Sequence, residues 1–363
     1  MSDSFKYGGQ IVWEPSPDLI QDANLTVFMR QHDIPDFGEL MRWSTDDVAW
    51  FTHALLQYLD IEFYQPYSQV VDLTGGIQWS RWCVDGELNI VHNCLDKYMG
   101  TPTEGKTAYV WEGEEGQTLS LTYGALNRQV NQVANALRGL GLGKGDAVGL
   151  FMPMTPEIVA AFLGIAKIGG IIVPLFSGYG VSAVATRLND TGAKAMFTAY
   201  GFFRRGRAVL AKPVADDAAR QVDTLQHMIV LNRAGLPVEM QAGRDHWWHE
   251  LVGSQPGTAV TEATGAEDTL MVIYTSGTTG RPKGAVHTHC GFPVKAAQDM
   301  AFGMDLKPDE VIYWITDLGW MMGPWLLFGS LILGSTGFVF DGALDYPNPD
   351  RLWAMVERHR INK

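Results

Sequence analysis

Cysteine is scarce: Cys83, Cys94 and Cys290 are the only three in 363 residues. An odd, scattered set builds no disulfide framework and suits a reducing compartment. Charge is also thin. Asp, Glu, Lys and Arg make up 18% of the chain, below the usual quarter. The balance is acidic, at −13, so the chain has no overall basic surface for nucleic acid. Any anionic ligand must therefore be gripped by local clusters. The N-terminus lacks the charged-then-apolar layout of a secretory signal, which points to the cytoplasm. No internal repeat at solenoid periods is present. One uncharged stretch, residues 320–340, is long enough to span a bilayer, but Gly323, Pro324, Gly329, Gly334 and Gly337 interrupt it. The expectation is a buried helix over 326–333, a glycine turn and a buried strand over 336–340, with no membrane span.

What the sequence does have is glycine, 40 residues of it, and 46% hydrophobic residues. The length suits two to three domains. Low charge with many glycines suits buried parallel strands joined by tight turns. Residues 1–105 form a polar, Trp-rich region in which a helix is predicted over 46–59, and 100–118 read as a linker with one short strand, 108–111. From Thr118 strands and amphipathic helices alternate. Thr122 is expected to cap a helix bearing Leu126, Val130, Val133, Ala134 and Leu137 on one face. Strands follow at 147–152, 171–174, 194–198 and 227–231. Helices are predicted from Thr155-Pro156 to Gly169 and over 181–189. Such alternation implies βαβ units and a mostly parallel sheet. Near the end, Asn348-Pro349 opens a helix to about residue 359, and 361–363 read as the start of a strand at which the chain stops, which suggests truncation.

Tyr274-Thr-Ser-Gly-Thr-Thr-Gly-Arg-Pro-Lys-Gly284 is the densest chemical signal. It follows an apolar strand predicted over 270–274. Gly277, Gly280 and Gly284 allow successive backbone N–H groups to face one ligand. Thr275, Ser276, Thr278 and Thr279 add hydroxyl donors, and Lys283 adds a point charge. The segment suits a polyphosphate, although no Gly-Lys-Ser/Thr closes it in the Walker manner. Arg204-Arg205-Gly206-Arg207 is the densest basic cluster of an acidic chain. Guanidinium forks suit phosphate, and glycine permits close backbone approach. Asp317-Leu-Gly-Trp-Met-Met-Gly-Pro-Trp325 lies between a strand predicted over 311–315 and a helix, where open α/β sheets bind ligands. His287-x-His289-Cys290 lacks a second ligand pair at zinc spacing, so no metal site is assigned. No Gly-x-Ser-x-Gly elbow is present.

The 275–284 segment resembles the phosphate-binding signature of the adenylate-forming superfamily. The stretch from Trp82 to Asp96, Gly243-Arg-Asp-His-Trp-Trp248 and Thr316-Asp-Leu-Gly-Trp320 resemble its acetyl-CoA synthetase-type members. The resemblance implies two doubly wound αβαβα subdomains, truncated before the β-barrel part and the C-terminal domain are complete, with an acetyl-CoA synthetase-type N-terminal region over 1–105 and an AMP-binding domain over 106–363, incomplete at its C-terminus. It implies an AMP-forming acyl-CoA synthetase that uses ATP, Mg2+ and coenzyme A on a carboxylate, acetate or another short chain. Thr275, Ser276, Gly277, Thr278, Thr279, Gly280 and Lys283 would hold ATP phosphates. Arg204, Arg205, Gly206 and Arg207 would hold coenzyme A. Trp320, Met321 and Met322 would line the acyl pocket. The acetyl-specific pattern has threonine at the place of Met322 and usually histidine at that of Pro324. The family's adenine and ribose motifs and its adenylating lysine would lie beyond residue 363, so no catalytic residue is assigned. Two other readings stay open: a non-catalytic nucleotide-binding remnant, and an adenylating enzyme that does not use coenzyme A.

Overall fold

The computed structural model describes residues 13–233, 238–275 and 282–363. Its strands are β1 (Gln69–Asp72), β2 (Arg81–Val84), β3 (Thr107–Gly113), β4 (Thr118–Thr122), β5 (Ala147–Phe151), β6 (Ile171–Pro174), β7 (Ala195–Ala199), β8 (Gly201–Arg204), β9 (Arg207–Leu210), β10 (His227–Leu231), β11 (Asp245–Trp247), β12 (Thr269–Thr275), β13 (Lys283–Thr288), β14 (Val311–Tyr313) and β15 (Thr336–Asp341). Two main sheets result. One has seven strands in the order β11-β10-β7-β5-β6-β12-β13, parallel except for the β12–β13 pair. The other has four, β14-β15-β3-β4, parallel except for β3–β4.

A helical layer shared by both sheets explains the burial pattern. Helix Pro156–Lys167 is buried along its whole length, as a helix enclosed on all sides must be. Val148 and Leu150 of β5 and Tyr109 and Trp111 of β3 belong to the same core as this helix. The Tyr109 hydroxyl donates to the Pro156 carbonyl at 2.8 Å, and the Trp111 indole donates to the Met154 carbonyl at 2.7 Å. Alongside runs helix Tyr123–Gly139, capped as expected: Thr122 Oγ1 accepts from the Ala125 N–H at 3.1 Å. Gly164 lets the two helices close, because a Cβ there would run into Val133. Helices Val181–Thr191 and Lys212–Ala219 cover the other face of the large sheet, with Val184, Leu188 and Ala215 against Val173, Met196 and Met228. Helix Arg351–His359 covers the outer face of the small sheet through Met355 on Phe338 and Phe340. Helix and sheet layers thus alternate as α, β, α, β, α, the doubly wound arrangement expected.

One local expectation changes, and two hold with shifted bounds. Residues 100–118 are not a linker: β3 lies in the middle of the small sheet, pairing with β15 and β4. The short strand expected over 108–111 is β3, and its central place was hidden because its parallel partner β15 is remote in sequence. The helix expected over 46–59 is helix Val48–Tyr58, started by the Asp47 carboxylate, which accepts from the Trp50 N–H at 2.8 Å, while Asp46 ends the preceding helix Phe37–Asp46. The uncharged stretch folds as helix Met322–Ile332 followed by β15, and among the described residues no helix is long and apolar enough to cross a membrane. Residues 362–363 lie beside β14, where the Asn362 N–H donates to the Val311 carbonyl at 2.9 Å and the Tyr313 N–H to the Lys363 carbonyl at 3.0 Å.

Candidate ligand-binding site

The carboxyl ends of β6, β14 and β15 open on one cleft, the place where parallel α/β sheets bind ligands. A cavity of about 650 Å³ lies there. Phe176 and Ser177 line it after β6, Asp317 and Trp320 after β14, and residues 341–345 at the end of β15. The β8–β9 hairpin closes the remaining side with Phe202, Arg204 and Arg205.

Asp317 staples two of these walls. Its Oδ2 accepts from the Ser177 hydroxyl at 2.7 Å, and its Oδ1 accepts from the Gly319 N–H at 2.7 Å. Gly319 sits so close to the backbone of Phe176 that a Cβ would overlap it, which explains a glycine in the Asp-Leu-Gly-Trp run. Trp320 then packs on Phe176, with ring centroids 5.5 Å apart. Burial raises the Asp317 carboxyl above its ordinary value, against the hydrogen bonds from Ser177 and Gly319 that favour its ionised form. Burial pushes Asp341 further, up to about 7, although Arg204 and Arg233 oppose it.

The arginine cluster is a two-residue hairpin. Arg204 pairs with Arg207 across the turn. Arg205 and Gly206 both have positive φ, at 53° and 71°, the type I′ geometry that matches strand twist. The hairpin leans on the segment after β15: Arg204 donates to the Gly342 carbonyl, and Arg205 pairs with Asp345 at 2.9 Å. The structure therefore brings Arg204, Arg205 and Trp320 into one cavity. Gly206 forms the turn, while Arg207, across it, is outside the lining. Met321 is half exposed and Met322 packs at the edge of the main core; neither lines the cavity.

Thr275 and Lys283 face each other at the open end of the β12–β13 hairpin. Ser276, Gly277, Thr278, Thr279 and Gly280 lie outside the described residues. Beside this end, Arg187 of helix Val181–Thr191 is buried, with its guanidinium 4.3 Å over the Tyr179 ring and 5.3 Å over that of Tyr274. The Tyr274 hydroxyl donates to Asp190. Of His287, His289 and Cys290, the last two are core links. His289 Nδ1 accepts from the Ile90 N–H at 3.3 Å, burial lowers its pKa to about 4, and the Cys290 sulfur touches that of Cys83. Glu114, Arg187 and Asp341 escaped the sequence reading. The run Glu112-Gly-Glu-Glu115 lies in the stretch read as a linker.

Fold and cleft define an open α/β protein with a cavity across the carboxyl ends of two sheets. The chain belongs to the AMP-binding enzyme family, whose model matches residues 99–363; the acetyl-coenzyme A synthetase N-terminus matches residues 37–94. The acetyl-coenzyme A synthetase of Methanothrix thermoacetophila is 36% identical over 348 residues, 95% of this chain and 52% of that protein. That of Gemmatimonas aurantiaca is 42% identical over 290 residues, 78% and 44% of the two chains. Among solved structures, the acetoacetyl-CoA synthetase from Streptomyces lividans superposes with a TM-score of 0.89 at 28% identity, over 97% of this chain and 55% of that one. The chain thus spans about half the length of the curated relatives it matches.

Proposed function

We propose that this chain carries ligand sites of an AMP-forming acyl-CoA synthetase acting in the cytoplasm on acetate or another short-chain carboxylate, with no nucleic-acid or membrane partner. In the first half-reaction a carboxylate oxygen attacks the α-phosphorus of ATP, which enters as its magnesium complex, and pyrophosphate leaves. In the second, the coenzyme A thiolate attacks the acyl carbon and AMP leaves. Thr275 to Gly280 with Lys283 hold the β- and γ-phosphates, mainly by position and charge. Trp320 on Phe176 walls the acyl end of the cavity, and Met321 and Met322 follow it into the next helix. Arg204 and Arg205, with Arg207 across the turn, hold the phosphates of coenzyme A. In this reading residues 1–105 are the synthetase-type N-terminal region and 106–363 belong to the adenylating domain.

One observation supports this reading above the rest: the arginine turn and Trp320 line the same cavity. A ligand with phosphates at one end and an acyl or thiol group at the other spans such a site. The test is calorimetric binding of coenzyme A to the 363-residue protein and to an Arg204→Ala, Arg205→Ala double variant. Hydrogen bonds to charged groups contribute about 1.5–3 kcal/mol each, so affinity should fall roughly tenfold or more. Equal affinity in both proteins would refute the assignment.

A further inference from the structure

We propose that Glu114 is the positioning residue of the arginine turn, fixing it in place to receive a phosphate-bearing ligand. The proposal rests on the reading above, that Arg204 and Arg205 hold the phosphates of coenzyme A. Glu114 follows β3 directly and is only 5% exposed. Its Oε1 accepts from the Gly206 N–H at 2.8 Å, and its Oε2 accepts from the Ala343 N–H at 2.8 Å. One carboxylate thus joins the tip of the hairpin to the segment after β15, two walls of the same cavity. It is outside the lining of that cavity and borders a neighbouring one of about 300 Å³ that shares Phe202 and Asp341 with it, so its hold on the arginines runs through the backbone of the turn.

The hairpin needs such a hold. It is a separate two-stranded sheet with strands of four residues, and an isolated hairpin is marginal in water. Arg205 also carries a side chain at positive φ, which L-residues adopt reluctantly. Tyr346 supplies a seat from the other side, since a Cβ on Gly206 would run into its hydroxyl. Burial works against the Glu114 charge. The N–H groups of Gly206, Ala343 and Arg205 and the nearby Arg204 outweigh it and hold the carboxyl below its ordinary value. The choice of partners is the telling point. Glu114 fills its oxygens with backbone N–H groups and, among the described residues, takes up no guanidinium. Arg204 is left on a neutral carbonyl, and its positive charge stays available to a phosphate.

Glu114→Gln keeps the shape but turns an amide NH2 toward one of the two N–H groups, so one contact is lost. The readout is the preference for coenzyme A over dephospho-coenzyme A, which lacks the 3′-phosphate; a general loss of fold would weaken both alike. Glu114→Gln should lower coenzyme A affinity about tenfold and bring the two ligands closer together, as Arg204→Ala does, with little change in melting temperature. Amide exchange at Gly206 and Ala343 should quicken. If Arg204→Ala narrows the preference and Glu114→Gln leaves it intact, the positioning role is overturned and the reading of the site survives. If the arginine variants leave coenzyme A affinity unchanged, or the wild-type protein does not bind it, the reading of the site falls and takes this inference with it. Should Glu114→Gln not fold, Glu114→Asp keeps the charge but withdraws it by one methylene, and the same loss of preference is expected. Unprotected exchange at Gly206 and Ala343 in the wild-type protein would also overturn the proposal.

Discussion

Glu112 and Glu114 stand two residues apart on the same face of one strand end, yet they organise their regions in opposite ways. Glu112 is fully buried and meets two guanidinium groups and an imidazole of the covering helix: Arg351 at 2.7 Å, Arg358 at 2.9 Å, and His359. Among the described residues, Glu114 accepts only from backbone N–H groups. In the first region positive charge is consumed to dock a helix. In the second it is left unspent beside a cavity. The pair shows how one acidic strand end can serve both fold and ligand, according to whether each carboxylate takes guanidiniums or amides.

Breaking the first region should have the largest effect. Glu112→Gln removes the counter-charge of a buried cluster, and loss of one partner in a buried pair costs about 3–5 kcal/mol. Urea unfolding should show a loss near the lower end, because Arg358 is half exposed and Arg351 retains the Gly113 carbonyl at 2.9 Å. The protein that remains folded should keep its preference for coenzyme A over dephospho-coenzyme A. A lost preference with unchanged stability would reverse the two assignments.

Asp341 sharpens the contrast because it lies opposite Gly113, between the two glutamates, in the β15–β3 register. Unlike Glu112 it has no ion pair among the described residues, and burial lifts its pKa to about 7. From the ordinary carboxylate range up to about 7 the folded protein then holds a proton that the unfolded chain has released. The contribution of this group to stability is therefore greatest at acid pH and falls as pH rises through that window. Asp341→Asn removes the dependence. The variant should gain on the wild type by on the order of 4 kcal/mol between the acid and alkaline sides of the window. Parallel stability profiles for the two proteins would mean that Asp341 ionises as freely as a surface carboxylate.

Much of this architecture was legible because its signals are contiguous. Thr122 followed by a periodic apolar face, Thr155-Pro156, and the Gly-rich ends of buried strands each state a helix or strand within a dozen residues. The segment 275–284, read as a polyphosphate cradle, stands out for the same reason, with hydroxyls, glycines and a lysine side by side. The arginine turn was visible as composition only. Its geometry depends on Glu114, Gly342, Asp345 and Tyr346, which lie about a hundred residues or more away along the chain. β3 was missed as a central strand because its parallel partner, β15, comes more than two hundred residues later. Met321 and Met322 shared a motif with Trp320, but a helix starting at Met322 turns neighbours to different sides, and only Trp320 reaches the cavity.

The smallest expected effect concerns the one carboxylate that does meet an arginine of the turn. Arg205 and Asp345 are 2.9 Å apart with side chains 60% and 56% exposed, and the Arg205 hydrogen bond holds the Asp345 carboxyl below its ordinary value. An exposed pair of this kind adds little to stability, so Asp345→Asn should leave the unfolding curve unmoved. Its effect should fall on the ligand. A phosphate approaching Arg205 has to compete with Asp345, and the variant removes that competitor along with one negative charge at the mouth of the cavity. Coenzyme A affinity should rise a few-fold near 0.01 M salt, where charges act over roughly 30 Å, and the gain should vanish near 1 M, where they act over about 3 Å. Weaker binding in the variant would show instead that Asp345 holds Arg205 in its binding pose. The turn would then be fixed through a side-chain ion pair as well as through its backbone, and the contrast between the two glutamate regions would narrow to one of exposure.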